Sequence, residues 1–144
     1  GYCTMKIILL IAHLMAIAIG TGMSIANYVN IRIAAGEKGE RQAALAYLRR
    51  TLARIADVII AFIWITGIAL YLLLPAGDGP NSWFMVKIGF VVLLTLCHGL
   101  ARMTAGRMAR TGDQQLYGRL EMLVSGVWLS ALLAIILAVL AFET

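Results

Sequence analysis

Four stretches of this chain stay apolar for about the thickness of a lipid bilayer. They leave little sequence for anything else. A helix needs about 20 mainly apolar residues to cross a hydrocarbon core of about 30 Å. Residues 7–29, 55–74, 83–101 and 120–142 meet that requirement. They account for a composition that is 62% apolar and 13% charged, where soluble domains carry about a quarter of their residues as charges. A soluble globule of 144 residues has nowhere to hide so much apolar surface. That excludes a cytosolic enzyme, a disordered tail and a free nucleic-acid-binding domain. The sequence predicts an all-α, multi-pass membrane protein, a four-transmembrane-helix bundle forming a single domain over residues 1–144.

The joins between spans carry the topology. PAGDGPNS, residues 75–82, is rich in turn formers and can only reverse the chain. GEKG, residues 36–39, reads as a second turn. Residues 40–55, ERQAALAYLRRTLARI, are good helix formers. They either run straight into the second span or lie flat on the membrane with Leu45, Leu48 and Leu52 down. Met5-Lys6 has the look of an ordinary opening, so Gly1 to Thr4 read as an extension ahead of it. The first apolar stretch exceeds a signal-peptide core and shows no convincing small-x-small cleavage site, so it reads as a retained helix.

Charge orients the bundle. Loop one, residues 30–54, carries Arg32, Lys38, Arg41, Arg49, Arg50 and Arg54, and the segment 102–119 carries Arg102, Arg107, Arg110 and Arg119. These six and four make ten of the twelve basic residues; Lys6 and Lys87 are the others. The positive-inside rule puts both basic segments in the cytoplasm and both termini outside. The net charge of +5 is therefore a matter of topology and lipid headgroups, with no nucleic-acid partner implied; a substrate site is the rarer reading of the arginines. Cys3 and Cys97 form no disulfide framework, and no CxxC or CxxCH is present.

Helical spacing then sorts the faces. Ala12, Ala16, Gly20 and Ser24 repeat every four residues, a small-residue face for close helix packing or room for a flat cofactor. Asp57, Trp64 and Tyr71 form a heptad stripe. Asp57 should face protein or water, either paired to Arg54 or Arg102 or fixing a histidine. Trp64 reads as core packing or a cofactor wall. Tyr71 and Trp83 read as belt anchors at the outer boundary. Lys87, Val91, Leu94, His98 and Arg102 share one stripe of the third span. Lys87 either snorkels outward or contacts a cofactor or a proton. Glu121 reads as an ion-pair partner of Arg119 or Arg102, or as a group orienting His98.

The two histidines, His13 and His98, both lie within spans, where imidazole suits a hydrogen bond or the iron of a b-type haem. Spans one and three run in the same direction. His13 lies early in its span and His98 late in its own, a mismatch of about 13 Å at 1.5 Å per residue. One haem ligated by both is therefore disfavoured. Lys87 matches the depth of His13 better. This predicts an outer cluster of His13, Lys87, Tyr71 and Trp83, with Gly20 beside it. It also predicts an inner cluster of His98, Asp57, Glu121 and Arg102. Two haems, one near each side, fit the same pattern.

IAHLMAIAIGTGM at residues 11–23 and KIGFVVLLTLCHG at residues 87–99 resemble the HemJ-like protoporphyrinogen oxidases, small bacterial membrane proteins. They are also similar to the wider CopD-like copper-resistance membrane domain. The HemJ resemblance implies a haem-b protein of the bacterial cytoplasmic membrane that oxidises protoporphyrinogen IX to protoporphyrin IX. On it, His13 matches the first-helix histidine, Lys87 the third-helix lysine, and His98-Gly99 the following HG pair. His13 and Lys87 would be catalytic, His13 and His98 candidate iron ligands, and Arg102 a candidate propionate contact. The CopD resemblance implies metal transport, although the seven methionines are scattered where soft copper calls for clusters. An electron-transfer subunit and a small structural subunit of a larger membrane complex or homo-oligomer are the remaining readings, with lipid as the constant partner.

Overall fold

A computed structural model describes residues 1–73 and 82–143, without the side chains of Trp83 and of residues 141–143. Most of the reversal expected over 75–82 thus lies outside the described residues. The chain forms four helices, α1 (Tyr2–Ala35), α2 (Gly39–Leu72), α3 (Ser82–Thr111) and α4 (Leu116–Glu143). All four are long and apolar enough to cross a membrane. The protein is an all-α four-helix bundle with the architecture of a polytopic membrane protein.

The helices outrun the apolar stretches. At 1.5 Å per residue, α1 and α2 are each about 50 Å long, roughly 20 Å more than a bilayer core. In α2 the surplus lies at the end bearing the arginines, and in α1 it is split between the two ends. Residues 40–54 are continuous with the second span; no separate interfacial helix forms. The segment 102–119 is likewise mostly helix, the end of α3 and the start of α4. Only short turns remain between helices at this end, and each is built on a glycine in the left-handed region. Gly39 has φ +63° and Gly112 has φ +67°. The Gly112 N–H closes α3 by donating to the Met108 carbonyl at 2.9 Å, and the Asp113 carboxylate accepts from the Gln115 N–H at 2.9 Å to start the next turn.

The bundle is packed inside out by the standards of a soluble protein. Many of its buried positions are small or hydroxylated: Ala16, Thr21, Ala53, Thr66, Ala101, Thr104, Ser130, Ala131 and Ala134. Its outer faces carry Ile8, Ile11, Val58, Ile65, Leu96 and Ile136. In lipid, large apolar side chains gain nothing by facing inward, and small ones let helices approach. α1 packs along α2 and α4, and α3 packs along α4. The largest buried side chains, Ile31 and Leu120, belong to a cluster with Ala101, Met108 and Tyr117 that closes the arginine-rich end.

The backbones of α2 and α3 stand apart, and long side chains bridge them. Asp57 reaches His98 and Arg102, Trp64 donates from Nε1 to Thr95 at 3.1 Å, and Tyr71 stacks on Phe84 with ring centroids 5.7 Å apart. The heptad stripe of α2 is therefore its face toward α3.

The two glycines of the α3–α4 junction separate backbone strain from propensity. Gly112→Ala should cost about 1–2 kcal/mol, because an alanine in the left-handed region meets its own carbonyl. Gly118→Ala, where a Cβ meets nothing within 4 Å, should be neutral or stabilise the helix by up to about 1 kcal/mol. Denaturation midpoints in an SDS titration of the two variants check both signs.

Candidate functional site: a cavity between four helices

His13 is buried on α1, 7% exposed, and is held by α2. Its Nδ1 lies 2.7 Å from the Thr66 hydroxyl. That hydroxyl has one proton and lies 2.7 Å from the Phe62 carbonyl, one turn back along α2, to which it donates. Thr66 therefore accepts from His13, and a neutral ring carries its proton on Nδ1 and its lone pair on Nε2. This tautomer follows from the hydrogen-bond network. Gly67 lies against the ring: a Cβ there would sit 3.3 Å from His13 Cε1. Thr66-Gly67 thus forms a seat for the imidazole, with a hydroxyl at one nitrogen and no side chain on the adjoining wall.

The ring borders a cavity of about 300 Å³ lined by residues of all four helices. Ile17, Ile59, Ile63, Leu94, Ala131 and Ile135 give it apolar walls, and Lys87, Trp64, Thr21 and Ser24 also border it. Lys87 lies across from α1 on α3, within electrostatic reach of the His13 ring. No carboxylate pairs with it among the described residues. Gly20 lines the same space and marks a close α1–α2 approach, since a Cβ there would meet Ile59 Cγ2 at 3.0 Å. The Trp64–Thr95 hydrogen bond spans the gap between α2 and α3 at the cavity's border.

His98 is elsewhere. Its Nε2 lies 2.5 Å from Asp57 Oδ1, and Arg102 holds the second Asp57 oxygen at 3.1 Å. With Nε2 committed to a carboxylate, this ring is poorly placed to offer that nitrogen to iron. Asp57 is 44% exposed by its side chain, and its two partners offset the cost of an acid at the edge of the bundle. Glu121 does not join this group; it pairs with Arg32 of α1 at 3.0 Å. Of the expected outer cluster, His13, Lys87 and Gly20 share the cavity. Tyr71 sits outside it, stacked on Phe84, and the Trp83 side chain lies outside the described residues. Cys97 packs against Gly126 of α4, and both cysteines are free.

Two features are invisible in the sequence. Thr66 carries no signal there, because a threonine bonded to its own helix looks the same whether or not it also holds a ring. Arg49, which spacing groups with the surface arginines, is only 5% exposed.

Among the described residues, no three His, Cys, Asp or Glu side chains gather as a metal site. A haem does not require such a group, since the porphyrin supplies four of the iron's ligands and the protein one or two. The cavity residues fit that demand: one imidazole with a free Nε2, one amine and apolar walls. Comparisons with family models, with curated proteins and with solved structures found no match.

The Thr66 contact has a measurable consequence. Thr66→Val keeps the shape but strands the His13 Nδ1–H, and should lower stability by about 1–3 kcal/mol. Thr66→Ser should restore most of the loss. Equal midpoints for the valine variant and the parent protein would contradict the Nδ1–H tautomer.

Proposed function

We propose that this chain is an integral membrane haem-b protein of redox function, with His13 as an iron ligand and Lys87 as the second polar contact of the bound porphyrin. The observation that carries the reading is the seated imidazole. The Thr66 hydroxyl accepts from Nδ1–H, Gly67 clears the ring wall, and no side chain among the described residues hydrogen-bonds Nε2 beside the apolar cavity. A metal-binding histidine is typically fixed in this way through its other nitrogen. Bound haem would supply one-electron chemistry. The protein's own share is to exclude water with the isoleucine and alanine walls, to orient the ring, and to place one cationic side chain where a carboxylate or a labile proton would meet it.

The finer reading is oxidation of protoporphyrinogen IX to protoporphyrin IX in the bacterial cytoplasmic membrane, as the HemJ resemblance implies. In it, Lys87, as the neutral amine, is the group available to accept a proton from a substrate at the cavity, while His13, with Nδ1 protonated and Nε2 given to iron, holds the haem. The ten basic residues gathered at one end favour placing that end in the cytoplasm and both termini outside.

The test is the visible spectrum of the protein purified in detergent after expression with ample haem. A Soret band with reduced-state α and β bands is expected. His13→Ala should abolish it, Lys87→Ala should weaken or shift it, and His98→Ala should leave it in place. Thr66→Val should weaken haem affinity by about 10- to 100-fold, the usual effect of removing a group that orients a ligand. Colourless protein under these conditions would overturn the haem reading in favour of a structural subunit. Formation of fluorescent protoporphyrin from protoporphyrinogen by the purified protein, lost in Lys87→Ala, separates an oxidase from an electron carrier.

A further inference from the structure

The cavity beside His13 is not closed. Two of the residues that border it are exposed, Leu14 of α1 at 54% and Val139 of α4 at 58%. The others are buried or half-buried. The exposed border is thus confined to one seam, between α1 and α4. Toward the arginine-rich end this seam is shut. There Ile31 and Ala34 of α1 join Leu120 and Val124 of α4 in the buried cluster, and Tyr28 meets Trp128 with ring centroids 6.0 Å apart. Farther along, α4 brings Ala131, Ala134 and Ala138 to the cavity, each only a methyl group, and α1 brings Gly20. The gap between α2 and α3 is crossed at the cavity's border by the Trp64–Thr95 hydrogen bond. Both exposed side chains lie within apolar stretches, Leu14 about 10 Å and Val139 about 5 Å from the near end of its own. In a chain that spans a bilayer, what they meet outside the protein is hydrocarbon.

We propose that the porphyrin enters and leaves this cavity sideways, from the hydrocarbon of the bilayer, between Leu14 and Val139. The route rests on the haem reading and adds to it the path that the ligand takes. A molecule arriving from hydrocarbon must be apolar over most of its surface, because polar groups without partners are costly there. That suits a flat macrocycle with its acids at one edge, and excludes a free metal ion or a sugar phosphate. The walls it meets are isoleucine, leucine, valine and alanine. Lys87, with no carboxylate partner among the described residues, is left for the acidic edge. Leu14 follows His13 by one residue, about 100° around the helix. The opening therefore lies at the depth of the imidazole, and the ligand reaches the ring without travelling along the bundle.

The experiment follows haem uptake in time. The haem-free full chain in lipid nanodiscs is mixed with phosphatidylcholine vesicles loaded with haem, and growth of the Soret band is recorded. Release is read by transfer to an apoglobin. Leu14→Trp and Val139→Trp each narrow the opening. Each should slow uptake and release alike by roughly 10-fold, the usual scale of forcing an oversized side chain aside. The final Soret amplitude should match the parent protein's, because entry and exit share one barrier and the bound state is untouched. Leu14→Ala should be no slower than the parent protein. Met15→Trp and Ile136→Trp, at exposed positions that do not border the cavity, should leave both rates unchanged. Unaltered rates in both Leu14→Trp and Val139→Trp, or equal slowing in Met15→Trp and Ile136→Trp, would overturn the lateral route while the haem reading stands. Parent protein that gains no Soret band would overturn the haem reading and the route with it.

Discussion

Hydrocarbon offers no hydrogen-bond partner, so a polar side chain within a span must find one inside the protein. That constraint shapes several of the contacts between helices in this bundle. Thr21, Thr95, Thr104 and Ser125 turn back on carbonyls of their own helices one turn earlier. His13 reaches Thr66, Trp64 reaches Thr95, and Asp57 reaches His98 and Arg102 across helix boundaries. Each cross-helix contact fixes one face of one helix against another. The isoleucines and leucines, indifferent to whether they meet lipid or protein, take the remaining directions.

The same economy creates the cavity. Where a residue without a side chain meets a neighbouring helix, as Gly20 meets Ile59, the helices come close. Where a tryptophan, an ion pair and a stacked ring pair span the gap between α2 and α3, the backbones stay apart. The interior behind those bridges is lined by alanines and branched aliphatics too short to fill it. His13 and Lys87 lie on helices that do not pack closely together, α1 and α3, so the space between them is bounded by the other two helices.

The arginine-rich end follows a different rule. There the helices extend past the bilayer's hydrocarbon, the core is filled by Ile31, Leu120 and Met108, and charges pair in the polar zone, as Arg32 does with Glu121. Arg49 is the exception, drawn inside because its position on α2 faces Tyr117 of α4. Its neighbour Arg50 points outward. One residue along a helix turns a side chain by about 100°, which is enough to separate a surface charge from an interior one.

Much of this is legible in the residues themselves. The four apolar runs, the GEKG turn and the helical propensity of residues 40–54 are local properties. Length, propensity and hydropathy act there without reference to the rest of the chain. The heptad spacing of Asp57, Trp64 and Tyr71 shows that they share a face, and the offset of His13 from His98 shows that they lie at different depths. Which helix that face meets is not legible. Nor is the role of Thr66, the pairing of Glu121 with Arg32 in place of Arg102 or Arg119, or the burial of Arg49. Each depends on how far helices rotate and how closely they approach, which are properties of pairs of helices. The sequence by itself determined the number, length and material of the helices, because crossing lipid demands about 20 apolar residues whatever their neighbours do. Tertiary structure alone decided which polar groups meet and where a cavity stays open, because partners lie on different helices and spacing along one chain does not encode distance to another.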